Sequence, residues 1–251
     1  MPDPALARRR FLVTAGPTRE RIDRVRDWGN VFTGTTGHAI AVALAAAGDV
    51  DLVTSNADHL RALAGSPGPL RAVPFVSHAD LRQALTALTA THRYAGVFMT
   101  AAVSDYAPTG AYQVVDRRPD PADPGGELWT VRDVRAEKVK STFDDLAVLG
   151  RRTEKLVDLF RGALGYRGLL VKFKLEVGID REALIRVGQS SRRASGADYL
   201  VANTLDMVAG PSAGAYLLGD ETAEWVPRGE LPDRLRRLAE DPSPGRGGPK
   251  T

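Results

Sequence analysis

Short apolar runs recur along this chain, and most stop abruptly at small or hydroxylated residues. FLVT (11–14) ends at Ala15-Gly16-Pro17-Thr18, VDLVTS (50–55) passes into polar residues, and GVFMTAAVSDY (96–106) closes on Ser and Asp. Uninterrupted runs of this kind predict strands buried on both faces. Between them lie helical segments: HAIAVALAAAG, rich in Ala and closed by Gly48, and HADLRQALTALTATH, whose apolar positions form a stripe. RAVPFV (71–76) reads as a strand between helices. Further on, TEKLVDLFRGAL predicts a helix, GLLVKFKLEV a strand, REALIRVGQSSRRASG a helix ending near Gly196, and YLVANTL (199–205) another buried strand. AYLLG and AEWVP predict a terminal hairpin, and LPDRLRRLAE a closing helix.

Strand–helix alternation implies a parallel sheet with right-handed crossovers, whose ligand crevice lies beyond the carboxyl ends of the strands. Thr14–Pro17, Thr54–Asn56 and Ala101–Asp105 would all sit at that edge. The segment 107–139 breaks the rhythm: AYQVV and LWTVRDV flank DRRPDPADPGGE, so it reads as a projecting hairpin that serves as a lid or a subunit contact. The expected fold is a three-layer α/β, Rossmann-like domain over residues 1–240, with a mostly parallel sheet and a protruding β-hairpin. DPSPGRGGPKT (241–251) is expected to be a disordered tail.

Composition narrows the class without naming it. The chain has 251 residues, 43% apolar and 26% charged, enough for a substantial core. A formal charge of +3 gives no case for nucleic acid. With no cysteine there are no disulfides, thiolate metal sites or cysteine nucleophile, which suits the cytoplasm. MPDPALARRR lacks the apolar core of a signal peptide, and no run is long enough to span a membrane.

The chemistry legible from residues alone is an anion site. Thr33-Gly34-Thr35-Thr36-Gly37 opens directly into a helix, where backbone amides flanked by hydroxyls and small residues hold phosphate or carboxylate. It is neither a P-loop, lacking Gly-Lys-Ser/Thr, nor a GxGxxG dinucleotide loop. The four histidines show no metal-ligand spacing, so no metal site is expected from the protein.

LVTAGPTRERIDRVR, GNVFTGTTGHAIA, TAAVSDYAP, EKVKS, VKFKLEVG and ADYLVAN follow one another between residues 11 and 205. In that order they resemble the phosphopantothenate–cysteine ligases of coenzyme A biosynthesis, in the stand-alone form not fused to the flavin decarboxylase. The resemblance implies activation of 4′-phosphopantothenate by CTP or ATP as an acyl-nucleotide, with pyrophosphate released and magnesium carried by the nucleotide. Cysteine then displaces the nucleotide to form an amide, and the family's members are usually homodimers. It implies Asn30 and Lys138 as catalytic residues and nucleotide contacts at Gly16, Thr33, Gly34, Gly37, Ala101, Ala102, Val103, Asp105, Lys138 and Phe173. By residue type alone, Lys138 is more often a solvated strand lysine, Asn30 a turn residue and Phe173 core, while Asp105 is equally an Asx turn before Pro108.

Two departures from the family pattern stand out. Val31-Phe32 precede Thr33-Gly34, so one hydroxyl of the loop is lost while its glycine spacing survives. Ser191 and Ser195 stand where lysines are expected, so either the register has shifted or Arg192 and Arg193 take over the phosphate contact, the alternative being an arginine pair on a solvated helix face. Three rival readings stay open. An NAD(P) oxidoreductase is disfavoured because no GxGxxG or Tyr-x-x-x-Lys pair occurs. A non-catalytic nucleotide-binding homologue would bind nucleotide without releasing pyrophosphate, and a ligase could act on another acid or amine.

Overall fold

The computed structural model describes residues 8–134, 139, 142–210 and 213–241. Its centre is an eight-stranded sheet. Along the chain the sheet's strands are β1 (Arg10–Ala15), β4 (Asp49–Thr54), β5 (Leu70–Pro74), β6 (Gly96–Met99), β10 (Leu169–Glu176), β11 (Tyr199–Thr204), β12 (Gly214–Leu218) and β13 (Ala223–Pro227). They lie in the order β13-β12-β11-β10-β6-β1-β4-β5. From β11 to β5 every pairing is parallel, and the terminal hairpin adds β12 and β13 antiparallel at one edge. The order reverses at β1, where one crossover leads toward β4 and the later chain returns beside β6. That reversal is the switch point at which such sheets open a crevice.

Two apolar layers explain why the strands carry unbroken runs. On one face Phe11, Val13, Val171 and Val201 pack with α1 (Thr35–Leu44) and α6 (Leu231–Glu240) through Ile40, Leu44, Leu231 and Leu235. On the other, Leu12, Val97, Met99 and Leu170 pack with α3 (His78–Thr91) and α4 (Asp158–Arg161) through Leu81, Leu85 and Phe160. α5 (Arg181–Ser195) covers β11 and β12 by way of Leu184. Successive side chains of one strand thus enter different cores, so no position along it can be polar without cost. α2 (Ala57–Leu63) follows β4, capped by Asn56, whose side chain accepts from the Asp58 amide at 2.8 Å.

Two expectations are corrected and a third is extended. The run GVFMTAAVSDY is strand only to Met99, because Thr100 and Ala101 turn to bond Thr14 near the end of β1. The projecting hairpin is present, β7 (Tyr106–Pro119) pairing with β8 (Glu127–Asp133), and β9 (Leu146–Arg152) extends it to a three-stranded antiparallel sheet. TEKLVDLFRGAL is helical only over Asp158–Arg161, after which Gly162 and Gly165 break it. A small ribbon of β2 (Arg19–Arg21) and β3 (Asp27–Gly29) links β1 to α1. Of the expected tail, residues 242–251 lie outside the described residues.

At the amino end of the sheet, away from the crevice, Asp51 of β4 is fully buried. It accepts hydrogen bonds from Tyr94 Oη at 2.5 Å, from Arg10 at 3.2 Å and from Arg71. Burial opposes its ionisation, but the hydrogen bonds from Arg71 and Tyr94 win and hold the carboxyl below its ordinary value. A depressed folded-state value means the contribution is complete above the unfolded carboxylate range and lost as pH falls through the folded value. Asp51→Asn is therefore expected to cost about 2–4 kcal/mol at neutral pH. In urea denaturation, the gap between parent and variant should close as the pH is lowered.

Candidate active site

The loops leaving β1 and β6 remain tied together beyond the sheet. Ala102 donates its amide to the Gly16 carbonyl at 3.0 Å, and Thr18 donates back to the Ala102 carbonyl at 3.2 Å. The buried Thr14 hydroxyl accepts from the Ala101 amide at 3.0 Å, and that of Thr18 from the Ser104 amide at 2.9 Å. Asn30, arriving after β3, donates its side-chain amide to the same Ala102 carbonyl at 3.0 Å. The structure thus brings Asn30, Gly16 and Ala102 to one place.

Above this floor sits the amino end of α1. Gly34 takes φ of +81°, and a Cβ there would overlap the Gly16 amide, so only glycine lets the loop close down on β1. Gly34 offers no side-chain cap, which leaves the first-turn amides of α1 for a ligand. Thr33 and Thr35 share a hydroxyl hydrogen bond of 2.7 Å, and Asn56 holds the loop by donating to the Thr33 carbonyl at 2.9 Å.

Two cavities flank the carboxyl edge of the sheet. The first, about 280 Å³, lies on the α1 side and is lined by Gly16, Thr33, Gly34, Gly37, Ala102 and Asn203, among others. The second, about 370 Å³, lies on the α4 and α5 side, against Val103, Asp105, Lys155, Asp158, Lys172 and Ser191. Ala101, Phe173 and Lys174 belong to both and form their common rim. The expected nucleotide residues are therefore divided between two neighbouring chambers.

Other expected residues fall differently. Asp105 is exposed and ion-paired with Lys155 at the mouth of the second cavity. Arg192 turns inward: its guanidinium bonds Asp220 at 2.6 Å, Gln189 at 3.0 Å and the carbonyls of Ala197 and Asp198, with its side chain 8% exposed. It is committed to joining α5 to the loop after β12. Arg193 is exposed and lines neither cavity. Lys138 lies outside the described residues. Its neighbour Val139 is buried, held by its amide to Asp23 at 3.1 Å and by its carbonyl to Arg26 at 3.2 Å. Burial opposes the charge on Asp23, but the amides of Val25, Val139 and Arg26 hold its carboxyl below the ordinary value, Val25 contributing most.

Residues the sequence did not single out complete the chambers. Asn203 ends a strand whose apolar run hid it. Lys172 and Lys174 alternate with Phe173 and so share a face of β10, a spacing that was legible in VKFKLE. Among the described residues, no group of three or more His, Asp or Glu converges on a metal position, and no helix is long and apolar enough to cross a membrane.

Comparison with known proteins agrees with this geometry. Residues 6–116 match the family of the DNA/pantothenate metabolism flavoprotein C-terminal domain. The coenzyme A biosynthesis bifunctional protein CoaBC of Thermococcus kodakarensis is 27% identical over 235 residues, 92% of this chain and 51% of that protein. CoaBC of Mycobacterium bovis is 30% identical over 80% of this chain and 43% of its own length. The chain thus spans about half the length of the curated relatives it matches. In fold it is similar to the DNA/pantothenate metabolism flavoprotein of Streptococcus pneumoniae, with a TM-score of 0.72, 22% identity, and coverage of 92% of this chain and 97% of that one. A Cab2 variant in complex with phosphopantothenate-cysteine gives a TM-score of 0.64 at 16% identity, over 92% of this chain and 86% of that one. By its matched segment the chain is similar to the DNA/pantothenate metabolism flavoprotein C-terminal domain over residues 6–116, and by its architecture it shares the fold of the Streptococcus pneumoniae protein.

Proposed function

We propose that the protein is a phosphopantothenate–cysteine ligase, joining the carboxylate of 4′-phosphopantothenate to the amine of cysteine at the expense of CTP or ATP. The observation that carries this reading is the pair of cavities meeting at Ala101 and Phe173. A reaction between a phosphorylated acid and a nucleoside triphosphate needs two anionic reactants held apart except at their reacting atoms. The first cavity offers α1 amides for the phosphate of the acid, and the second offers Asp105 for a sugar hydroxyl of the nucleotide. CoaBC relatives named for coenzyme A biosynthesis, and the phosphopantothenate-cysteine bound to Cab2, support the choice of acid and amine.

In this reading Asn30, fixed by the Ala102 carbonyl, donates to the oxygen on which charge develops as the carboxylate is activated and then attacked. A neutral amide does this without repelling the incoming phosphate. Lys138, between β8 and β9 in sequence, supplies positive charge to the phosphates. Magnesium enters with the phosphates of the nucleotide. The projecting sheet exposes Trp129 and Val131 on one face of β8 and Leu128 on the other, with Leu146 and Leu149 on β9, apolar side chains suited to a second copy in a homodimer.

Pyrophosphate release by the purified protein with magnesium tests the reading, comparing CTP with ATP, with and without 4′-phosphopantothenate and cysteine. The expected result is release that requires the acid and amide formation that requires cysteine. Binding of nucleotide with no release would favour a non-catalytic homologue. Asn30→Asp is expected to lower amide formation by about 100-fold, the usual effect of removing one oxyanion donor, while single-turnover acyl-nucleotide formation falls less. Equal loss in both half-reactions would contradict that role. Gly34→Ala should lose about 1–3 kcal/mol of stability, from the positive φ and the overlap with Gly16. It should also abolish measurable 4′-phosphopantothenate binding in calorimetry.

A further inference from the structure

Strand β10 enters the sheet as buried Leu169-Leu170-Val171 and leaves it as Lys172-Phe173-Lys174. Three lysines line the second cavity, and two are already matched to carboxylates: Lys155 to Asp105, and Lys174 to Glu176 at 2.7 Å. Lys172 is different. Its half-buried ammonium touches only Ser191 on α5, donating to the backbone carbonyl at 3.3 Å and to the hydroxyl at 3.1 Å. Among the described residues, no carboxylate lies within ion-pair distance of it.

A partly buried cation with neutral partners is left short of compensating charge, and an open cavity lies in front of it. Burial pulls its proton affinity down, and the more distant Asp158 only partly restores it. The adjacent arginines of α5 do not face the cavity. Arg192 is locked onto Asp220 and Arg193 is exposed, while α5 offers the cavity only the neutral Ser191, Ala194 and Ser195.

We propose that Lys172 is an anion-binding residue of the second cavity, taking the phosphate chain of a nucleoside triphosphate, so that β10 rather than α5 supplies the positive charge there. Asp105, Glu154 and Asp158 line the same space. Asp105 is neutralised by Lys155; Glu154 is ion-paired with Arg82 at 2.6 Å. Asp158 alone opposes a bare phosphate chain and favours one that carries its own divalent cation. Only the identity of the ligand rests on the ligase reading; the anion site itself is tested with pyrophosphate.

The first test is a short pulse of amine acylation of the parent protein, read residue by residue by mass spectrometry. It is run with and without magnesium pyrophosphate at matched ionic strength. Pyrophosphate should slow modification of Lys172 severalfold and spare the exposed Lys155 much less. The second test is calorimetry with the same probe. Lys172→Met should weaken binding by about 10- to 100-fold, the worth of one charge-assisted hydrogen bond, and Lys172→Arg should recover most of it. Unchanged acylation of Lys172 would overturn the proposal. So would a Lys172→Met protein that melts lower but binds pyrophosphate as the parent does, since that is the mark of a strand-to-helix tether. A protein that protects Lys172 but forms no amide keeps the anion site and removes the ligase reading. A working ligase with unprotected Lys172 keeps the ligase reading and removes this one.

Discussion

The hydrogen-bonded lacing between the loops that leave β1 and β6 is the constraint on which both cavities depend. Parallel strands need not stay together past the sheet, yet here Gly16, Thr18 and Ala102 continue the pairing in the loops themselves. The hydroxyls of Thr14 and Thr18 are buried completely and satisfied by amides of Ala101 and Ser104. A buried hydroxyl with a single geometric solution acts as a pin, because the alternative is an unpaired amide in the core. The Ala102 carbonyl, with both lone pairs engaged by Thr18 and Asn30, transmits that fixed position to the side chain assigned to oxyanion stabilisation.

The second constraint is closeness. α1 can lie on β1 only because the positions where they touch carry no side chain. A Cβ on Gly37 would sit 2.9 Å from the Thr14 carbonyl and 2.8 Å from the Ala15 methyl. Backbone packed this tightly leaves the first turn of the helix at the carboxyl edge instead of a side chain's width above it. Asn56 extends the arrangement to the next strand, capping α2 with its oxygen and holding Thr33 with its nitrogen. One asparagine thus couples the start of α2 to the loop that starts α1.

Most of the sheet was legible because its strands are apolar on both faces, and a run such as FLVT has few other destinations. The terminal hairpin and closing helix were legible from alternation and amphipathicity. What escaped depends on partners distant in sequence. LAVLGRR is half-exposed and pairs only with β7, so nothing local marks it as a strand. Arg192 and Arg193 are adjacent and chemically alike, yet one helical step turns the first into the interior and the second to solvent. Which of the two would bind phosphate could not be read without Asp220, 28 residues further on, which claims Arg192. Lys172 escaped for the opposite reason: an apolar strand was expected to be core, and its last residues pass out of the core into a cavity.

The division of the crevice into two chambers bears on how anionic reactants could meet. Two unit charges 4 Å apart repel by about 1 kcal/mol in water and about 4 kcal/mol at the effective dielectric of a protein surface. An enzyme joining a phosphorylated acid to a triphosphate gains by keeping the phosphates on opposite sides of a barrier. In the proposed arrangement the barrier is the edge of the sheet, with α1 serving one side and β10 the other. Reacting atoms can still meet only where that barrier is thin. Ala101, the small residue common to both chambers, lines that boundary together with Phe173 and Lys174. On this argument the run of small residues after β6 is a geometric requirement: a bulky side chain at position 101 would keep both cavities and separate the reactants they are proposed to hold.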